Sequence, residues 1–214
     1  MRICTWNSQG NPLHHDIKKQ ILANLLTIER CDVVMIQECG DYVYPGGGGY
    51  YFYRADHAGA LHNRCNTCMI SRLPNRVSFS QEILPSRTGR SYIELNIGNC
   101  LYFYTLHASA GDAAKSDVMY TLSKARNNFI IGGDMNCTPY NLCPDRRKEI
   151  FAGTASRSSN HAIIKHTSMV THPGTGAILD YFIIDEMLGY SYLNIERYSL
   201  QGGDHYPVIL EIIC

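Results

Sequence analysis

The 214-residue chain is 45% hydrophobic and 18% charged, and its 19 basic and 19 acidic side chains cancel. That balance suits one folded domain with a substantial core, and it excludes a strongly basic protein that coats long stretches of nucleic acid. No apolar run reaches the roughly 20 residues that a membrane-spanning helix needs, so a single domain over 1–214 with no membrane span is expected.

The opening "RICTW" reads as a strand. No charged-then-apolar leader precedes it, so three origins stay open: a mature form with an added Met, export by another route, or a protein that stays inside its cell. "HHDIKKQILANLLTIER" then places Ile17, Ile21, Leu22, Leu25, Leu26 and Ile28 near one helical face. "DVVMIQE" is strand-like, and "YPGGGGYYFY" reads as a mobile loop flanked by aromatics at the rim of a site. Cys65 and Cys68 form an isolated C-x-x-C within the strand-like "RCNTCMIS". Residues three apart on a strand face opposite sides and no second pair has zinc-like spacing, so no metal site is expected there.

From Arg64 to Arg90 five arginines (Arg64, Arg72, Arg76, Arg87, Arg90) stand against the lone acid Glu82. A neutral molecule can therefore carry one positive face. "SYIELNIG" and "CLYFYTLHA" read as strands, "DAAKSDVMYTLSKARN" as a helix, and "NNFIIGGD" as a strand. "PDRRKEIFAG" reads as a helix starting at Pro144 and Asp145. "LDYFIID" and "PVILEII" are further strands. Strands interleaved with helices indicate an α/β or α+β layered fold with buried sheets. The nine cysteines are an odd number, so one thiol at least lies outside any intramolecular pairing. Cys214, at the chain end, is the candidate for an inter-chain disulfide in an oxidising compartment.

Polar groups recur at the ends of these apolar runs. Asn7 follows "RICTW", Glu38 closes "VVMIQE", and His107 closes "YFYTLH". Asp134 and Asn136 close "FIIGGDMN", Asp180 opens "LDYFIID", and Asp204 and His205 precede the last strand in "GGDHYPV". Each alone has an ordinary explanation as a turn residue, a local cap or a core histidine. Together they mark strand ends, where layered folds display chemistry. Glu38, Asp134, Asp180, Asp204, Asn7 and Asn136 are hard oxygen donors of the kind Mg²⁺ or Ca²⁺ takes. Two histidines and an arginine beside them fit phosphate-ester hydrolysis, which needs charge stabilisation, an oriented water and a mobile proton.

The ordered set "TWNSQG", "IQECG", "TLHASAGDAA", "GGDMNCTP", "ILDYFIID" and "GGDHYPV" resembles the endonuclease/exonuclease/phosphatase superfamily, of deoxyribonuclease-I-like fold. Within it, "TWNSQGN", "SR" closing "CMISR", "SR..R" before "IELNIGN", "PDR" and the terminal Cys are similar to the catalytic B subunits of cytolethal distending toxins. The resemblance implies a four-layer α/β sandwich of two packed mixed β-sheets flanked by helices. It implies Mg²⁺-dependent cleavage of DNA phosphodiesters, with Ca²⁺ or Mn²⁺ as substitutes. It further implies delivery subunits, joined through Cys214, and secretion followed by action in a host nucleus. A phosphatase acting on phosphoinositides or other phosphomonoesters, and an intracellular repair nuclease, are the alternatives.

By motif position, the resemblance makes Glu38, Asn7 and Asp204 the metal-binding residues. Asp134 orients the attacking water, with Asn136 its partner on the phosphate. Asp180 pairs with His205, and His107 is the second histidine. Arg90, with Arg87 as near alternative, contacts the scissile phosphate. Asn66 stands near the phosphate in place of a glutamate that orients the first histidine in digestive-type nucleases of this fold.

Overall fold

The computed structural model describes residues 1–56, 65–73, 77–86, 90–98, 101–143, 149–152, 160–189 and 192–213. Arg64, Arg76, Arg87, Pro144, Asp145 and Cys214 lie outside them. One sheet holds β1 (Arg2–Asn7), β2 (Val33–Gln37), β3 (Tyr51–Ala55), β4 (Thr67–Ser71), β12 (Tyr192–Arg197) and β13 (Val208–Ile212), in the order β12-β13-β1-β2-β4-β3. The other holds β5 (Val77–Ile83), β6 (Ser91–Ile97), β7 (Leu101–His107), β8 (Phe129–Asp134), β9 (Glu149–Ala152), β10 (Asn160–Lys165) and β11 (Asp180–Asp185). Its order is β5-β6-β7-β8-β11-β10-β9. Parallel pairs, β1 with β2 and β7 with β8, sit at the centre of otherwise antiparallel sheets.

Strand periodicity sorts the side chains into layers. Ile3, Val33, Met35 and Leu210 of the first sheet pack against Phe103, Ile130, Phe182 and Ile184 of the second. Gly132 is needed in this layer, because a Cβ there would lie 2.7 Å from the Met35 sulfur and from the Phe182 ring. The opposite face of the first sheet, with Cys4, Trp6, Val34 and Ile36, covers Ile21, Leu22 and Leu25 of α1 (Asp16–Thr27). The outer face of the second, with Tyr104, Leu106, Ile131 and Ile183, covers Ala114, Val118 and Leu122 of α2 (Ala113–Lys124). Four layers result, helix–sheet–sheet–helix. Two short helices, α3 (Pro139–Leu142) and α4 (Glu186–Gly189), are the remaining elements among the described residues.

Three differences from the sequence pattern have physical causes. Ile17 and Ile28, counted on the apolar face of α1, are exposed at 58% and 68%, so its buried stripe is narrower than its apolar content. In "PDRRKEIFAG", residues 149–152 form an edge strand, not a helix, with Ile150 in register with Ala162 of β10. Pairing with the open edge of β10 outweighs a short helical pattern. Of "YPGGGGYYFY", residues 44–50 stay in the loop; from Tyr51 the chain pairs with β4 as β3.

Candidate active site

The inner-face alternation does not stop at the apolar layer. On β1 it runs Ile3, Thr5, Asn7; on β7 Phe103, Thr105, His107; on β8 Ile130, Gly132, Asp134; on β11 it begins at Asp180 before Phe182. The same period that buries the core therefore aims Asn7, His107, Asp134 and Asp180 into one end of the inter-sheet space. Register completes the convergence: His107 and Asp180 flank Asp134 across β7 and β11. Between apolar layer and site lies a polar tie across the sheets. The Thr5 hydroxyl donates to Gln37 Oε1 at 3.3 Å, and Gln37 Nε2 donates to Thr105 Oγ1 at 2.9 Å, all fully buried.

Asn7 links two carboxylates. Its Nδ2 donates to Asp134 Oδ2 at 2.9 Å and reaches Glu38 Oε1 at 3.4 Å, while its Oδ1 accepts from Gln9 N–H at 3.0 Å. His107 Nε2 lies 3.6 Å from Glu38 Oε1 and 3.7 Å from Asp134 Oδ2. His205 Nε2 approaches Asp134 Oδ2 at 3.8 Å and Asp204 Oδ1 at 3.5 Å, and its Nδ1 meets Asp180 Oδ2 at 2.8 Å. Asn136 N–H donates to Asp134 Oδ1 at 2.9 Å, and its amide donates to the Ala108 carbonyl at 2.8 Å. Arg90 Nη1 donates to that same carbonyl. Asn66 is buried, with its amide donating to the Gly40 carbonyl at 3.0 Å and its own carbonyl accepting from Cys39 N–H. It braces the turn after Glu38.

Backbone strain concentrates here. Gln9, Glu38 and Asn136 have φ of +48°, +51° and +46°. The left-handed region costs a non-glycine residue roughly 1–2 kcal/mol, so the surroundings must hold it. For Glu38, Gly10 N–H donates to its carbonyl, while the Ser8 hydroxyl, 2.9 Å from the Gly10 carbonyl, pins the same turn. Gly203, at φ +96°, lets the loop before His205 lie against Gln9, whose Oε1 accepts from Asp204 N–H at 3.0 Å. A Cβ at Gly203 would stand 2.6 Å from that oxygen.

Charge is unbalanced in this space. Burial, then the neighbouring Asp180 carboxylate, pushes Asp134 up to about 6. Burial by itself would lower the His205 ring, but the hydrogen bond and charge of Asp180, reinforced by Asp134 and Asp204, lift it to about 9. Asp180 Oδ1 and Asp204 Oδ1 are buried without a hydrogen-bond partner among the described residues. Four carboxylates gathered around the protonated His205 ring fit a hard divalent cation held by oxygen donors. Glu38 and Asn7 border one side of Asp134; Asp204 reaches it through His205.

His172 was not marked by the sequence. It sits in the turn "THPGTGA", bridged backbone to backbone with Ala177. Its Nε2 lies 3.4 Å from Asp204 Oδ2 and its ring meets that of His205 edge-on at 4.5 Å. The contact spans more than thirty residues, and no local pattern announces it.

Residues 4–161 match the sequence profile of the Endonuclease/Exonuclease/phosphatase family. Among solved structures, the Haemophilus ducreyi cytolethal distending toxin is similar at 23% identity and TM-score 0.66, covering 99% of this chain and 97% of that chain. A 3'-5' exonuclease from Neisseria meningitidis is similar at 15% identity and TM-score 0.65, with 99% of each chain covered. A family protein from Leptotrichia buccalis gives 14% identity and TM-score 0.67, with 100% of each covered. No curated protein matches the chain.

Proposed function

We propose that this chain, which belongs to the endonuclease/exonuclease/phosphatase family, is a divalent-metal-dependent endonuclease that hydrolyses DNA phosphodiester bonds. The observation that carries this reading is the meeting of Asn7, Glu38, His107, Asp134, Asp180, Asp204 and His205 at one end of the inter-sheet space. Arg90 and Asn136 converge beside them on the Ala108 carbonyl.

Glu38, Asn7 and Asp204 are the residues that would hold Mg²⁺, or Ca²⁺ or Mn²⁺ in its place. When bound, the ion neutralises charge on the phosphate and polarises it toward attack. Asp134, with its pKa near 6, orients the attacking water and accepts its proton near neutral pH. Asp180 keeps His205 protonated and fixed in orientation, so Nε2–H is offered to the phosphate. His107 takes the second position, and one of the two rings protonates the leaving oxygen. Arg90 and Asn136 donate to non-bridging oxygens as charge builds on them. Asn66 acts through the Glu38 turn. A cavity of about 700 Å³, its mixed polar and apolar lining including Gln9, Asp16, Ile17, Lys18, Gln201 and Gly203, opens at Gln9, the residue that accepts the Asp204 N–H.

Within the family, the toxin-subunit reading rests on the ordered motifs, beside a likeness in fold to cytolethal distending toxin structures; secretion, delivery subunits, a Cys214 disulfide and action in a host nucleus follow from that reading alone. The test of the activity is nicking of supercoiled plasmid with Mg²⁺, with and without EDTA, beside phosphate release from a phosphoinositide. Nicking that EDTA abolishes is expected. Phosphate release without nicking would replace the endonuclease with a phosphomonoesterase. For the toxin role, introducing the purified chain into cultured mammalian cells should break nuclear DNA, and His107→Ala should not.

A further inference from the structure

His172, Asp204 and His205 form a cluster chemically unlike the oxygen donors around Glu38. Two imidazole nitrogens and one carboxylate have ligand atoms within 4.8 Å of one another. Asp204 turns one oxygen to each ring, at 3.4 Å from His172 Nε2 and 3.5 Å from His205 Nε2. Neither contact is a direct hydrogen bond of ordinary length. Each N···O spacing matches two ligands of one metal, since bonds of about 2.0–2.2 Å at tetrahedral angles place neighbouring ligand atoms about 3.3–3.6 Å apart. As a different oxygen faces each ring, an ion between them would be held by both Asp204 oxygens.

The outer partners also fit. Metal-bound histidines carry their second nitrogen on a carboxylate or other acceptor, which fixes the tautomer. His205 Nδ1 sits on Asp180 Oδ2 at 2.8 Å. His172 Nδ1 sits on the Thr175 hydroxyl at 2.9 Å. The Thr175 backbone N–H donates to Nδ1 at 3.1 Å and is shared with the His172 carbonyl at 3.2 Å, so a metal at Nε2 would shift the ring proton to Nδ1 and leave this N–H to the carbonyl. Asp204 Oδ1 is buried and makes no hydrogen bond among the described residues. Nitrogen-rich sets of this kind select borderline cations such as Zn²⁺ over Mg²⁺, which prefers oxygen and retains its waters.

We propose that His172, Asp204 and His205 constitute a second cation site, selective for Zn²⁺, whose filling switches off the phosphate chemistry. Zinc would take His205 Nε2, displacing its proton, and would claim Asp204 from the Mg²⁺ site. The binding claim stands apart from the endonuclease reading; only the inhibition rests on it.

The test uses the full chain and two probes. Co²⁺, as a spectroscopic stand-in for Zn²⁺, should give the visible absorption of a tetrahedral site at one equivalent. Calorimetry with Zn²⁺ should show one site that His172→Ala and His172→Gln each weaken at least tenfold, about the least that loss of even an outer-shell partner costs. Zinc should suppress plasmid nicking in the wild type, while His172→Ala keeps Mg²⁺-dependent nicking and tolerates zinc. Identical Zn²⁺ affinity in the wild type and both variants overturns the site, as does a thiolate charge-transfer band that assigns the metal to cysteine. If the protein binds zinc at His172 yet nicks no DNA, the site stands and the endonuclease reading falls.

Discussion

Asp180 and His205 share a hydrogen bond of 2.8 Å between Oδ2 and Nδ1, with Asp180 fully buried and His205 nearly so. This pair sets the protonation of the site. Because His205 is lifted from 6.5 to about 9, it stays protonated at neutral pH, and activity that needs the protonated ring falls as pH rises through about 9. Asp180→Asn removes the charge that raises it, so that alkaline limb should move down toward or below pH 6.5. At pH 7.5 nicking should drop by about tenfold or more, since a ring titrating at or below 6.5 is about one-tenth protonated there. The sign for stability agrees. The raised ring contributes its stabilisation in full below pH 6.5 and loses it as pH climbs through about 9. A variant pH–rate profile superimposed on that of the wild type would dismiss the dyad.

His107 and Asp204 stand at different edges of Asp134 and His205, the first buried and the second half-exposed. His107→Ala, and the volume-preserving His107→Gln, should each lower plasmid nicking by about 10²–10⁴-fold. Asp204→Ala should abolish Mg²⁺-dependent nicking. Far-ultraviolet circular dichroism should show the fold retained in all three. Unaltered nicking in His107→Gln and Asp204→Ala would remove both from the machinery.

The sequence makes the central strands readable because they are buried on both faces and written as continuous apolar runs, as in "VVMIQ" and "FIIGGD". The polar residues that end them are legible for the same reason: Asn7, His107, Asp134 and Asp180 each break an apolar run. Edge strands are harder. β5, with Phe79 exposed at 42% and Ile83 at 54%, and β9 owe their form to neighbours far along the chain. His172 is invisible in the same way, since only folding brings a turn histidine to Asp204. Asn66, expected near the phosphate, proves to hold backbone after Glu38 through contacts that spacing alone does not reveal.

Glu38, strained at φ +51° beside Asn7, predicts a stability effect of metal. A cation that binds the native state alone adds about 2.7 kcal/mol at a hundred times its Kd. For a chain of this size that is a rise of roughly 5–10 °C in Tm. Mg²⁺ should raise Tm by that order, EDTA should reverse it, and Glu38→Gln should lose most of the shift. A shift of equal size in Glu38→Gln would place the ion elsewhere.

Arg90 and Asn136 donate to one carbonyl, that of Ala108, and so stand side by side. Arg90→Ala should lower kcat for nicking by about 10²–10³-fold, as does loss of an oxyanion donor. A change below about threefold would pass the phosphate contact to Arg87.

Asp117 tethers this shelf from behind. Fully buried on α2, its carboxylate accepts from Ser109 N–H at 2.9 Å, the Ser86 hydroxyl at 2.8 Å and Ser86 N–H at 3.3 Å. Ser109 follows Ala108 in the chain and Ser86 precedes Arg90 by four positions, so one side chain holds a residue near each. Asp117→Ala removes the carboxylate acceptor of two backbone N–H groups and of the Ser86 hydroxyl, which keeps Ser109 Oγ at 2.6 Å, and should cost about 2–4 kcal/mol of stability, or roughly 4–16 °C in Tm. A merely structural role ends there. A positioning role predicts coupling: below the lowered Tm, kcat should fall in Asp117→Ala, and adding Arg90→Ala should then cost less than it does in the wild type. Losses that multiply independently in the double variant would confine Asp117 to holding the fold.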